Sequence, residues 1–150
     1  LSILDKELQK RITLHLTCEK QDLKHLYVEP ETHFHINFMG KISFAKVLEM
    51  YKYTDALLFP SFIETFGLPL IEAASFGLPI IVADLPYSRE VLKDYEGVSF
   101  ASYNNARLWK EEILKLFTIK GERHQPIKIE KSNSWQELFR IVKNKIQQNV

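Results

Sequence analysis

The chain has 150 residues, 20 of them basic and 19 acidic, and its net charge of +1 gives no electrostatic reason to expect nucleic acid as a partner. At 45% hydrophobic and 26% charged residues it has the profile of one soluble globular domain rather than a disordered chain, long enough to bury a core without staples or metals. The single cysteine, Cys18, excludes an intramolecular disulfide and points to a reducing, cytoplasmic setting, and no run approaches the roughly 20 apolar residues of a membrane span.

In chain order, residues 3–9 read as the end of a helix whose beginning lies outside the sequence. Strands are predicted over 12–18 and 33–39, followed by a helix over 43–53 with Phe44, Val47, Leu48 and Tyr51 on one face. The apolar runs at 56–59 and 79–83 predict strands buried on both faces, with a helix between them over 68–76. Pro69 stands in the first turn of that helix, and Gly67 and Gly77 bound it. A helix over 87–93, a strand over 98–101 and a helix over 104–116 complete the alternation. Residues 120–133, polar and broken by Gly121 and Pro126, read as a surface connection to a last helix over 135–148. Strands alternating with helices predict an α/β domain: a Rossmann-like parallel sheet with helices on both faces.

The informative stretch is 59–84, FPSFIETFGLPLIEAASFGLPIIVAD. A buried strand ends at Phe59, a short loop follows, and a helix starts near Gly67. Ligands of open α/β sheets bind where loops leave the carboxyl ends of strands. There the backbone N–H groups of Phe66, Gly67 and Leu68 would point out of the helix and, with its dipole, favour a phosphate. Gly67 offers no side chain to hold that phosphate away, although relief of a tight turn is an alternative reason for it. Glu64 lies just before these amides. Glu72 lies about one and a half turns into the helix, where its carboxylate could accept from the vicinal hydroxyls of a ribose.

Bland readings compete at several positions. Two glutamates eight residues apart are common by chance, and solvated helix-end glutamates are the alternative. His33 and His35 alternate onto one strand face without a third ligand at metal spacing, so surface or half-buried histidines are the preferred reading and no metal is expected. Cys18 reads as a small hydrophobe, Ser61 as a loop residue outside any nucleophile elbow, and Lys41 equally as a ligand contact or a solvated lysine. The basic excess beyond Lys120 fits contact with an anionic membrane surface, but a solvated helix face is the commoner arrangement.

The pattern Pro60-Ser61-x-x-Glu64-x-Phe66-Gly67-Leu68-Pro69-x-x-Glu72-Ala73, followed by Gly77-Leu78-Pro79 and Ala83-Asp84, resembles the Glu-x7-Glu signature of family 4 glycosyltransferases (glycosyl transferases group 1). Phe38-Met39-Gly40-Lys41-Ile42, Thr54-Asp55-Ala56, Arg89-Glu90-Val91 and Ser134-Trp135 extend the likeness over most of 12–146.

The resemblance implies the C-terminal, nucleotide-sugar-binding half of a GT-B fold and a retaining glycosyltransferase, with bacterial surface-polysaccharide synthesis as its setting. It implies ribose binding by Glu72, and donor positioning and charge stabilisation near the anomeric carbon by Glu64. The amides of Phe66, Gly67 and Leu68 would hold the diphosphate, and Gly40, Lys41 and Ile42 would line the base pocket. The nucleoside-diphosphate sugar is a substrate in this scheme, and no cofactor is implied.

Family members also hold the diphosphate with an Arg and a Lys after the first strand of the domain. That strand is absent from this sequence and would precede Leu1, together with the domain that binds a glycan or lipid-linked acceptor. The chain is therefore expected to be a fragment, inactive alone, cytoplasmic or at the inner face of the membrane, and open to dimerisation through its incomplete sheet. A non-catalytic nucleotide-binding or scaffolding module of the same fold is the alternative, with a nucleotide-sugar epimerase disfavoured by the Glu-x7-Glu context.

Overall fold

Three β-branched residues in succession make Ile80-Ile81-Val82-Ala83 a strand former, and in the computed structural model, which describes residues 4–23, 33–119 and 121–127, all four are at most 1% exposed. The elements run α1 (Lys6–Gln9), β1 (Thr13–Leu16), a 3-10 turn (Lys20–Leu23), β2 (His35–Phe38), α2 (Phe44–Tyr53), β3 (Leu57–Phe59), α3 (Leu68–Ser75), β4 (Ile80–Ala83), α4 (Pro86–Val91), β5 (Val98–Ala101) and α5 (Ala106–Ile119). Among the described residues all strand pairing is parallel. One sheet joins β1 to β2, with Thr13 opposite His35 and Leu16 opposite Phe38, and the other has the order β3-β4-β5. Parallel sheets flanked by helices are the α/β, Rossmann-like arrangement that the alternation of patterns predicts.

Alternation along β4 divides two cores. Ile80 and Val82 pack on one face with Tyr51 of α2, Leu70, Ala73 and Ala74 of α3, Leu78, Leu92 and Tyr95. On the other face Ile81 packs with Ala101, Ile113 of α5 and Leu4. The helix α3 ends as a Schellman-type turn, in which Leu78 N–H donates to Ala73 O (3.1 Å) and Gly77 N–H to Ala74 O (3.0 Å).

Two expectations change, and two features emerge only in the structure. The first helix has its own beginning, because the Asp5 carboxylate accepts from Glu7 N–H (2.9 Å) and caps a four-residue helix. Phe44, in the first turn of α2, is 62% exposed, so Val47, Leu48 and Tyr51 reach the core without it. The turn at Lys20–Leu23 carries no hydrophobic periodicity and was not expected; Asp22 stabilises it by accepting from Glu19 N–H (2.8 Å). Residues 121–127 do lie at the surface but are pinned there. Arg123 donates to Lys52 O and Thr54 O, His124 N–H to Gly77 O, and Ile127 N–H to Ala74 O. The helix expected over 135–148 lies outside the described residues.

Candidate functional site

The loop after β3 is shaped by two hydroxyls. Ser61 donates to Ile63 O (2.9 Å), and Tyr87 of α4 donates to Ser61 O (2.6 Å), tying the carboxyl end of β3 to the helix that follows β4. Burial and the nearby Glu64 charge both push the Tyr87 hydroxyl above its ordinary pKa, so it remains a donor. Tyr87 was invisible as a site residue in the sequence, since a tyrosine in a helical run gives no sign of which loop it will hold.

Gly67 is the N-cap of α3 and has φ +59°, ψ +36°, the left-handed conformation that L side chains rarely adopt. A Cβ there would also stand 3.2 Å from Leu70 Cδ1 in the packed first turn. The tight-turn reading of this glycine is the one its backbone bears out. No side chain among the described residues caps the helix. Among the described residues the N–H groups of Phe66, Gly67 and Leu68 have no acceptor, while Thr65 N–H donates to Glu64 Oε1 (2.9 Å). Three unpaired amides thus lie at the N-terminal turn of α3, the positive end of its dipole, in the segment that follows the carboxyl end of β3. The same loop and turn expose the apolar side chains of Ile63, Phe66 and Leu68, together with Phe62, whose ring lies 4.8 Å from that of Tyr103.

The two glutamates frame this turn. Glu64 is half-buried, with Oε1 engaged by Thr65 and Oε2 without a hydrogen-bond partner among the described residues. Glu72 is also half-buried, and its Oε2 accepts from the Tyr51 hydroxyl of α2 at 3.3 Å. Nearby, after β4, Asp84 accepts two hydrogen bonds from Arg89 (2.5 and 2.8 Å), and the Arg89 guanidinium lies 4.6 Å from the centre of the Phe100 ring.

Gly40, Lys41 and Ile42 stand elsewhere, at the carboxyl end of β2 and just before Ser43, whose Oγ caps α2. Gly40 is buried with φ +61°, and its N–H donates to Cys18 O (3.2 Å). A Cβ at Gly40 would run into the Glu19 carboxylate, so a side chain that the sequence did not single out sits against the glycine turn. Lys41 is exposed and Ile42 half-buried. No hydrogen bond joins this turn to the glutamate loop among the described residues. The link is α2, which begins at the Gly40 turn and carries Tyr51 to Glu72. His33 and His35 are exposed, and among the described residues no group of three or more metal-binding side chains is assembled.

Comparison with known proteins bears on this arrangement. The sequence model of glycosyl transferases group 1 matches residues 1–133, a span that includes both glutamates and the glycine turn. The chain belongs to this family. It is 31% identical to the O-antigen chain mannosyltransferase RfbU of Salmonella typhimurium over 65% of the chain and 28% of that protein. It is 38% identical to the serotype-specific mannosyltransferase WbdA of Escherichia coli over 52% of the chain and 9% of that protein. The O-antigen chain mannosyltransferase B of Escherichia coli is 32% identical over 39% of the chain and 16% of its own length. The matches thus span less than a third of each relative. No solved structure matches the chain at a significant level.

Proposed function

We propose that this chain is the donor-binding half of a retaining glycosyltransferase that moves a sugar from a nucleoside-diphosphate sugar to a glycan acceptor in surface-polysaccharide synthesis. Mannose is the sugar named for its relatives and the one proposed here. The observation that carries the reading is the uncapped first turn of α3, three free amides at a left-handed glycine with a glutamate on either side.

In this reading the amides of Phe66, Gly67 and Leu68 donate to the diphosphate. Their bonds strengthen as the sugar–phosphate bond breaks and negative charge collects on the leaving oxygen. Glu72 accepts from the ribose hydroxyls and fixes the nucleotide along the helix. Glu64, with one oxygen held by its own loop, presents the other towards the anomeric carbon as positive charge develops there. The Gly40 turn receives the base, with Lys41 and Ile42 beside it. Amide dipoles take the part a metal would take, and no cofactor enters the reaction. A second domain supplies the acceptor and the remaining groups of the active site, at the cytoplasmic side of the membrane. Among the described residues no helix is long and apolar enough to cross it.

Calorimetric titration of the whole natural protein with UDP, GDP and ADP tests this. One diphosphate should bind, and Glu72→Ala and Gly67→Val should each weaken it about tenfold or more. A whole protein that is folded and binds none of the three overturns the reading.

A further inference from the structure

We propose that Tyr51 is a positioning residue for the nucleotide, its hydroxyl holding the Glu72 carboxylate in the orientation that receives the ribose diol. The inference rests on the role given to Glu72 above.

Tyr51 belongs to α2 and Glu72 to α3, so their contact joins two helices on the same side of the sheet. The Tyr51 ring is fixed: it is 7% exposed, packed with Leu70, Ala73 and Ala74, and its centre lies 5.9 Å from that of Phe76. Its hydroxyl reaches two acceptors, Glu72 Oε2 at 3.3 Å and Pro69 O at 3.5 Å. A phenol has one proton to give, and the carboxylate is both nearer and the stronger acceptor. Burial, followed by the Glu72 charge, pushes the Tyr51 hydroxyl well above its ordinary pKa, so it keeps that proton at any working pH.

The consequence for Glu72 is geometric. A glutamate on a helix surface samples several rotamers, and a ligand that needs one of them must order it on binding. An anchored donor on Oε2 removes that freedom beforehand. It leaves Oε1 and one lone pair of Oε2 for two neighbouring hydroxyls, the number a ribose presents. A tyrosine that served only the core would need no hydroxyl, and one that only closed the first turn of α3 would act through Pro69 O. The bond to Glu72 separates the proposed role from both.

The test uses the whole natural protein and whichever of UDP, GDP and ADP it binds, beside the 2′,3′-dideoxy form of the same diphosphate. Tyr51→Phe keeps the ring and should leave the melting temperature near that of the wild type. It should weaken the ribonucleotide about tenfold and leave the dideoxy form unchanged. In Glu72→Gln, adding Tyr51→Phe should cost nothing further, because the two act as one unit. Equal loss on both nucleotides, or lower thermal stability with unchanged affinity, would overturn the proposal. If Glu72→Gln abolishes the preference for ribose and Tyr51→Phe does not, this inference fails alone. If the wild type shows no preference for the diol, the ribose reading of Glu72 fails with it.

Discussion

In the three-stranded sheet, β4 is buried along its whole length, whereas in the two-stranded sheet every second residue of β1 and β2 is exposed. Both sheets are parallel, and the contrast lies in their side chains. Ile80-Ile81-Val82-Ala83 has no polar member and takes helices on both faces. Thr13-Leu14-His15-Leu16 and His35-Ile36-Asn37-Phe38 alternate, so one face carries Leu14, Leu16, Ile36 and Phe38, and the other carries Thr13, His15, His35 and Asn37. His15 and Asn37 are hydrogen-bonded across that polar face (3.2 Å). The two halves of the candidate site inherit this difference. The amides and both glutamates ride on the helix and loop packed against the buried sheet, and the Gly40 turn rides on the half-exposed one.

The sharpest way to break this comparison is to truncate one isoleucine in each sheet. Ile81 is 1% exposed between β3 and β5, and Ile81→Ala should cost about 2–5 kcal/mol of unfolding free energy. Ile36 is only half-buried, and Ile36→Ala should cost about 1 kcal/mol. Denaturant unfolding of the two variants measures the gap directly. Equal losses would mean that the β1–β2 sheet is as much a part of the cooperative core as β4.

A smaller effect should come from the corner beneath β4. Tyr95 is 4% exposed and donates to Leu78 O (2.8 Å), so Tyr95→Phe leaves a buried carbonyl without this donor and should cost about 1–2 kcal/mol. Burial pushes the Tyr95 hydroxyl up to about 12 from 10.0. The folded state therefore holds its proton more tightly than the unfolded chain. The contribution is whole below about pH 10 and is lost as pH rises through the folded value. The stability gap between wild type and Tyr95→Phe should narrow above pH 10. A gap that stays constant would show that the hydroxyl is solvated in the folded protein.

Much of this arrangement was legible in the sequence because the signals were local. The β-branched run marked β4, Gly67 and Pro69 marked the start of α3, and the residues flanking Glu64 and Glu72, rather than their spacing alone, singled out the candidate site. What stayed hidden depends on which distant residues meet. Tyr51 was legible as a core residue but not as a partner of Glu72, since its contact is set by the packing of α2 on α3. Tyr87 on Ser61 and Glu19 against Gly40 are of the same kind. The pinning of residues 121–127 was hidden because backbone donors and acceptors leave no mark in a polar run. Phe44 shows the converse limit, for helical period assigns a face but not where along the helix that face runs out of core.

The weakest expected effect sharpens the comparison at the rim of the buried sheet, where Asp84 leaves the end of β4. Its carboxylate is partly exposed, and its side-on pair with Arg89 is open to water, so the pair contributes little despite good geometry. The Arg89 hydrogen bonds hold the Asp84 carboxyl below its usual value of 3.8. A depressed carboxylate stabilises the fold above its unfolded value, and that contribution is lost as pH falls through the folded one. The melting temperatures of wild type and Asp84→Asn should therefore differ by at most about 2 °C at pH 7 and converge below about pH 4. A gap of many degrees at neutral pH would mean that Arg89, stacked on Phe100, needs its partner to keep the loop after β4 in place. The buried region would then extend beyond the strand to the loops at its carboxyl end, where Tyr87 holds Ser61 and the candidate site begins.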